Sequence, residues 1–233
     1  DLLINSLVER VDRDKIEGKI VFENKECNEK FKTLLGSQIE LKGKNSVFMN
    51  HDKIISLAGV MGGESTACSK ETHKVLVECA YFDPEAIIGK SLDYNLSSEA
   101  AHKFERGVDV CIQVEALKRF AKIVSDHASI DSIKIITFEE KPFKNKKLDI
   151  DVLRINQILG SSISSDKFNE ILNKLGFETE SQVVVPSYRS DIYSQNDLAE
   201  EIARTLGYDE IENKSLKIKE SQNDSPRKSI SNL

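Results

Sequence analysis

Asn45-Ser46-Val47-Phe48-Met49-Asn50-His51-Asp52-Lys53-Ile54-Ile55-Ser56-Leu57-Ala58-Gly59-Val60-Met61-Gly62-Gly63-Glu64 carries the clearest signal of architecture in the chain. Two strand-like runs, Asn45–Met49 and Lys53–Leu57, flank His51-Asp52 at a spacing suited to a hairpin. Glycines 59, 62 and 63 follow, and such positions supply positive φ or let another backbone come close. Upstream, Glu17–Phe22 enters a strand and Leu34–Ser37 turns into Gln38–Leu41, so 17–60 reads as short strands and turns. Downstream, Val75–Cys79 reads as a strand, and Asp83-Pro84-Glu85 starts a helix because proline in the first turn forfeits no internal hydrogen bond. Ser97–Phe104 reads as a helical turn. Ile112, Ala116, Phe120 and Ile123 recur at helical steps within Cys111–Ser125, and Ile133–Phe138 is expected to close the sheet.

A charged stretch broken by Pro142, Glu139–Lys147, marks the expected boundary. Beyond it, Val152, Ile155, Ile158 and Leu159 predict a short helix stopped by Gly160. Phe168, Ile171, Leu172 and Leu175 predict a second, from about Ser165 to a cap at Gly176. Gln182–Val185 predicts a short strand ended by Pro186, and Leu198, Ile202, Ala203 and Leu206 predict a third helix over Asp197–Leu206. The fold class expected is α+β, with a mixed strand and helix lobe over 1–140. A small helical domain with a short strand, resembling a winged-helix-like or nucleic-acid-binding domain, is expected over 147–217, and a polar tail or linker over 218–233.

With 39% apolar residues in 233, the chain can bury one good core or two modest ones. Its net charge of −6 argues against a surface built to coat a polyanion, while leaving room for a local RNA-facing patch. Cysteines 27, 68, 79 and 111 lack CxxC spacing and read as satisfied or buried thiols in a reducing compartment. No apolar run approaches the roughly 18 residues of a membrane span, and no secretory signal is evident. The expectation is a cytoplasmic protein, or one of an organelle matrix, without membrane association; the absent Met suggests a longer chain.

Asp191, Asp197, Glu200 and Glu201 form the most chemically suggestive group. Asp197 lies near a helix start and shares a face with Glu200 and Glu201, while Asp191 comes from the preceding loop. Converging carboxylates call for a cation, and hard oxygen ligands suit Mg²⁺. First-turn acidic residues are also ordinary caps, and spacing leaves both readings open. Tyr188-Arg189, in Pro186-Ser187-Tyr188-Arg189, could stack on a base or bind phosphate, or simply finish a strand.

Long stretches resemble the bacterial phenylalanine–tRNA ligase beta subunit. They are Asp12–Ile16 with Leu57–Glu64; Leu76-Val77-Glu78-Cys79-Ala80-Tyr81-Phe82-Asp83-Pro84 with His102–Asp109; and Pro186–Asp191 with Asp197–Arg204 and Leu206-Gly207-Tyr208-Asp209. The resemblance runs from about residue 8 to residue 211 and keeps the family's order. It implies the later part of a tRNA-editing domain followed by a small domain. It further implies an (αβ)₂ assembly with the alpha subunit and tRNA(Phe), forming Phe-tRNA from phenylalanine and ATP, with ATP bound on the alpha subunit. The catalytic-like and anticodon-binding modules of the family have no counterpart here, so aminoacylation by this chain alone is not expected.

The same resemblance implies a Mg²⁺ ion at Asp191, Asp197, Glu200 and Glu201, structural or subunit-organising in role. In the editing lobe it places Glu78 where an acidic residue recognises tyrosine, and Ser98 where threonine is common. Ala100 is kept in the pocket-lining loop, and glycines 59, 62 and 63 could permit backbone approach to the substrate. Glu9, within Leu7-Val8-Glu9-Arg10-Val11-Asp12, stands where the family carries an editing-associated histidine, so hydrolysis of Tyr-tRNA does not follow automatically. A non-catalytic tRNA-binding or assembly module, and a free-standing Tyr-tRNA deacylase, are the competing readings.

Overall fold

The structure, a computed structural model, describes residues 8–138 and 142–211. These form an α+β protein with open sheets in two compact units. One unit holds the chain to Lys146 with Val185–Asp191, the other Lys147–Val184 and the chain from Ile192.

The first unit is built on an antiparallel meander of β2 (Ile20–Lys32), β3 (Gln38–Asn50), β4 (Lys53–Leu57) and β5 (Met61–Gly62). The expected hairpin is present: Asn50 pairs Lys53 across His51-Asp52, and His51 takes a φ of 52°. Sequence suggested short strands here, whereas β2 and β3 each run 13 residues and pair along their whole length. Charged residues fill the outward positions of both strands, such as Glu26, Lys30, Glu40 and Lys42, while Cys27, Phe31 and Leu41 face the core. A register shift at Phe48/Met49 bends the ladder toward β4. Leu41, Val47, Leu57, Ile87, Ala101 and Phe104 form the core on one face of this meander. Phe82 stands edge-on to Phe104 at 5.0 Å and 6.2 Å from Phe48, a favoured aromatic arrangement.

A separate ladder joins β1 (Glu9–Asp12) to β6 (Val75–Glu78), antiparallel. Helices α1 (Pro84–Ile87), α2 (Lys90–Asp93), α3 (Glu99–Phe104) and α4 (Gln113–Ser125) follow. Asp83 caps α1 by accepting from Glu85 N, and Ser98 caps α3 by accepting from Ala101 N.

The closing strand expected at Ile133–Phe138 does not form: these residues carry no strand hydrogen bonding, and Ile136 and Phe138 are 78% and 90% exposed. β-branched composition supports a strand only where a neighbouring edge accepts its backbone groups, and among the described residues no strand pairs with this segment. Cys27 is buried as expected, but Cys68 and Cys111 are exposed, and the described cysteines are free thiols.

In the second unit α5 (Val152–Leu159), α6 (Ser165–Lys174) and α7 (Gln195–Leu206) pack with a sheet ordered β7 (Lys147–Asp149), β9 (Gln182–Val184), β8 (Glu178–Thr179). The single expected strand is thus the centre of three, because β7 and β8 are too short for periodicity to reveal. Phe168, Leu172, Phe177, Val183, Leu198 and Ile202 are fully buried between helices and sheet. Gly160 ends α5 in the left-handed region at φ 65°, where a side chain would be strained. The expected tail, 218–233, lies outside the described residues.

Candidate functional site

Pairing of β1 with β6 places Glu9 directly opposite Glu78, Arg10 opposite Val77 and Val11 opposite Leu76. Side chains alternate along a strand, so Glu9 and Glu78 lie on the same face as Val11 and Leu76. That face packs inward, with Val11 buried beside Ile16 and Ile55 and Leu76 against them. The register therefore carries two carboxylates toward the core, face to face, where like charges repel.

Each residue as a whole is only partly buried, yet the Oε1 atoms of both Glu9 and Glu78 are shut from solvent without a hydrogen-bond partner. Ser56, on β4, donates its hydroxyl to Glu9 Oε2 at 2.7 Å. Ser56 faces Gly62 across the β4–β5 ladder, and a Cβ on Gly62 would stand 2.7 Å from Glu9 Oε1. Gly62 thus leaves the space that the Glu9 carboxylate fills. Burial raises the Glu9 carboxyl above its ordinary range, opposed by the Ser56 hydroxyl. Burial, and then the charge of Glu9, push Glu78 up to about 8, while the Ala80 backbone N–H pulls it down. The neighbouring Cys79 thiol is pushed up to about 11 by burial and by Glu78, so it is unreactive as a nucleophile near neutral pH.

The other expected pocket residues divide. Ser98 donates to the carbonyl of Val60, which ties the start of α3 to the turn before Gly62. Ala100 packs against the main core, and Gly63 is held in the backbone by its N–H to Ile55 O at 2.8 Å. Gly59, at φ 70°, lies against Phe82 and Ile87. Glu78 and Gly62 therefore meet around Glu9, Ser98 joins the same turn, and Ala100, Gly59 and Gly63 shape the fold. Ser56 escaped sequence reasoning; its one signal is a polar residue inside the otherwise apolar Ile54–Leu57 run. A shallow open cleft of about 490 Å³ beside α4, lined by Ala121, Lys122, Ser125 and residues 130–133, holds none of these groups.

Residues 8–129 match the B3/4 domain family, and residues 148–208 match the tRNA synthetase B5 domain. The chain belongs to the B3/4 domain family. With the B5 domain after it, this is the B3/4–B5 region of a bacterial-type phenylalanine–tRNA ligase beta subunit. It is 35% identical over 211 residues to the beta subunit of Vibrio parahaemolyticus, covering 88% of this chain and 26% of that protein. Against the Dickeya dadantii beta subunit it is 32% identical over 209 residues, covering 87% of this chain and 26% of the relative. The chain spans about a quarter of the length of these curated relatives. A crystallised N-terminal fragment of the Pyrococcus horikoshii phenylalanyl-tRNA synthetase beta subunit is 17% identical, with a TM-score of 0.48, covering 86% of this chain and 60% of that one.

In the B5 domain, α7 begins at Gln195, two residues before the expected start, because Ser194 and Asp197 form a capping box. Asp197 Oδ2 accepts from Tyr193 N, Ser194 N and Ser194 Oγ at 2.8–2.9 Å. Arg204 pairs with exposed Glu200 at 2.7 Å and with buried Glu201 at 3.0 Å. Asp191 is held by a two-pronged bond from Arg189, at 2.8 and 2.7 Å, and Tyr188 is exposed. Among the described residues no group of three or more His, Cys, Asp or Glu side chains is gathered as a metal site requires. Arg189 holds Asp191 and Arg204 holds Glu200 and Glu201, so an incoming Mg²⁺ ion would have to displace these partners. Replacing Asp197 by alanine is expected to destabilise the B5 unit by about 1–2 kcal/mol through loss of the cap. The loss should be equal in EDTA and in Mg²⁺ during urea denaturation; a loss confined to Mg²⁺ would assign Asp197 to the ion instead.

Proposed function

We propose that the chain serves as the editing-lobe and B5 portion of a phenylalanine–tRNA ligase beta subunit, contributing to ATP-dependent formation of Phe-tRNA in a complete αβ assembly. The match to both domains, in order and over nearly the whole described chain, carries this reading. ATP and phenylalanine activation belong to the alpha subunit, and the chain alone is not an aminoacylating enzyme. Its working partners are the alpha subunit and tRNA(Phe), and its place is the cytoplasm. Among the described residues no helix is long and apolar enough to cross a membrane. Mg²⁺ binding by Asp191, Asp197, Glu200 and Glu201 belongs to the complete enzyme, where Arg189 and Arg204 would have to release their carboxylates.

Within the editing lobe, Glu78 is the group proposed to meet the hydroxyl of a tyrosyl ester. A site that hydrogen-bonds that hydroxyl discriminates strongly against phenylalanine, which leaves buried polar atoms unpaired. Co-expression with the alpha subunit and the remaining beta modules should restore Phe-dependent tRNA charging; lack of stable association would refute the assembly role. In that assembly Glu78→Ala should slow release of tyrosine from Tyr-tRNA at least about tenfold while charging with phenylalanine persists. The non-catalytic reading draws on exposed Tyr188; Arg189, already bound to Asp191, offers less to a phosphate.

A further inference from the structure

Two acceptor oxygens that face the interior without donors are an expensive arrangement, since a buried unpaired carboxylate oxygen loses its water and gains nothing. Glu9 Oε1 and Glu78 Oε1 are both in this state, on side chains set opposite each other by the β1–β6 register. We propose that a single proton bridges Glu9 and Glu78 between their Oε1 atoms, so that the pair behaves as one carboxyl–carboxylate unit in which Glu9 positions Glu78 and sets its charge. One proton added to two carboxylates leaves one negative charge and converts two orphan acceptors into a donor and its partner.

The surroundings say where the charge rests. Ser56 donates to Glu9 Oε2, which favours the ionised form on Glu9. Glu78 has only the Ala80 N–H in its favour when ionised, and so it keeps the proton. Glu9 on β1 faces Glu78, the adjacent Cys79 thiol feels its charge, and no lysine or arginine contributes to its shift. Gly62 on β5 leaves Glu9 the room to reach this position. A singly charged pair suits one hydrogen-bond donor, such as a ligand hydroxyl. A divalent cation needs both carboxylates ionised, and the shared proton opposes it. The ligand side of this inference rests on the tyrosyl-ester reading above; the proton does not.

The test is a carboxyl ¹³C NMR titration of the glutamate-labelled chain, alone and as Glu9→Gln and Glu78→Gln. The pair should titrate in two coupled steps, the upper near pH 8 and assigned mainly to Glu78. In Glu9→Gln the Glu78 midpoint should fall by more than about one pH unit. An unchanged midpoint, or two carboxyls titrating in the ordinary range, would overturn the proposal. If Glu9→Gln does not fold, the carboxyl C=O stretching band of the parent at pH 7 carries the decision: a band lowered by a strong carboxyl–carboxylate hydrogen bond supports the shared proton, and a band at the position of an isolated buried carboxyl overturns it. Addition of MgCl₂ at neutral pH should leave both resonances in place, and a shift would contradict the singly charged pair. Because no tRNA is present, failure here leaves the editing reading to its own deacylation assay.

Discussion

Glu78→Gln is expected to make the chain more stable than the parent at alkaline pH and to flatten its stability between pH 5 and 9. The Glu78 carboxyl has an ordinary value of 4.5 and is raised to about 8 in the fold. Below the lower value both folded and unfolded chains hold the proton, and its stabilising contribution is fully present. Between the two values only the folded chain holds it, so stability falls as pH rises and the contribution is gone above about 8. At about 1.4 kcal/mol per pH unit, the difference across this window is on the order of 5 kcal/mol. Glu9, also raised, acts in the same direction. Urea denaturation at several pH values measures this directly. Parent and Glu78→Gln chains with the same pH dependence would show that the carboxylate is solvated and the buried pair absent.

Gly63→Ala should destabilise the B3/4 unit by about 3 kcal/mol, at the upper end of what overpacking a core produces. A Cβ there would lie 2.6 Å from the Ile55 carbonyl oxygen and 3.1 Å from the Phe31 ring. The Ile55 oxygen cannot yield easily, because it accepts the Gly63 N–H itself. Gly36→Ala is the control: its φ of 84° is strained for alanine, but nothing stands within 4 Å of the new methyl group. That change should cost about 1 kcal/mol from backbone strain alone. Thermal unfolding of the two variants separates the effects; a Gly63→Ala midpoint above that of Gly36→Ala would mean that the β4 backbone gives way freely.

Local chemistry made much of the architecture readable. Pro84 after Asp83, Gly160 after Leu159 and Gly176 after Leu175 mark helix ends through backbone geometry that depends on the residue itself. His51-Asp52 between two strand-like runs marks the hairpin for the same reason. The long motifs around Gly62, Glu78 and Asp197 carried the family, because many residues in a kept order rarely coincide. Ile133–Phe138 misled, since its composition is that of a strand but the hydrogen bonds of a strand belong to its neighbour as much as to itself.

At the candidate site the division is sharper. By resemblance to the family, Glu9 stands where a histidine is common and Glu78 where an acidic strand residue is. Their meeting depends on the β1–β6 register, which brings together positions 69 residues apart in number (78 − 9) and is set by which faces bury Val11 and Leu76. A slip of β1 by one residue would turn Glu9 to the other face of the ladder, away from Glu78. Cap geometry, glycine conformations and family motifs are properties of neighbours along the chain, and they were legible there. The facing of two carboxylates, the Ser56 hydroxyl beside them and the raised Glu78 carboxyl exist only once distant strands pair and water is excluded.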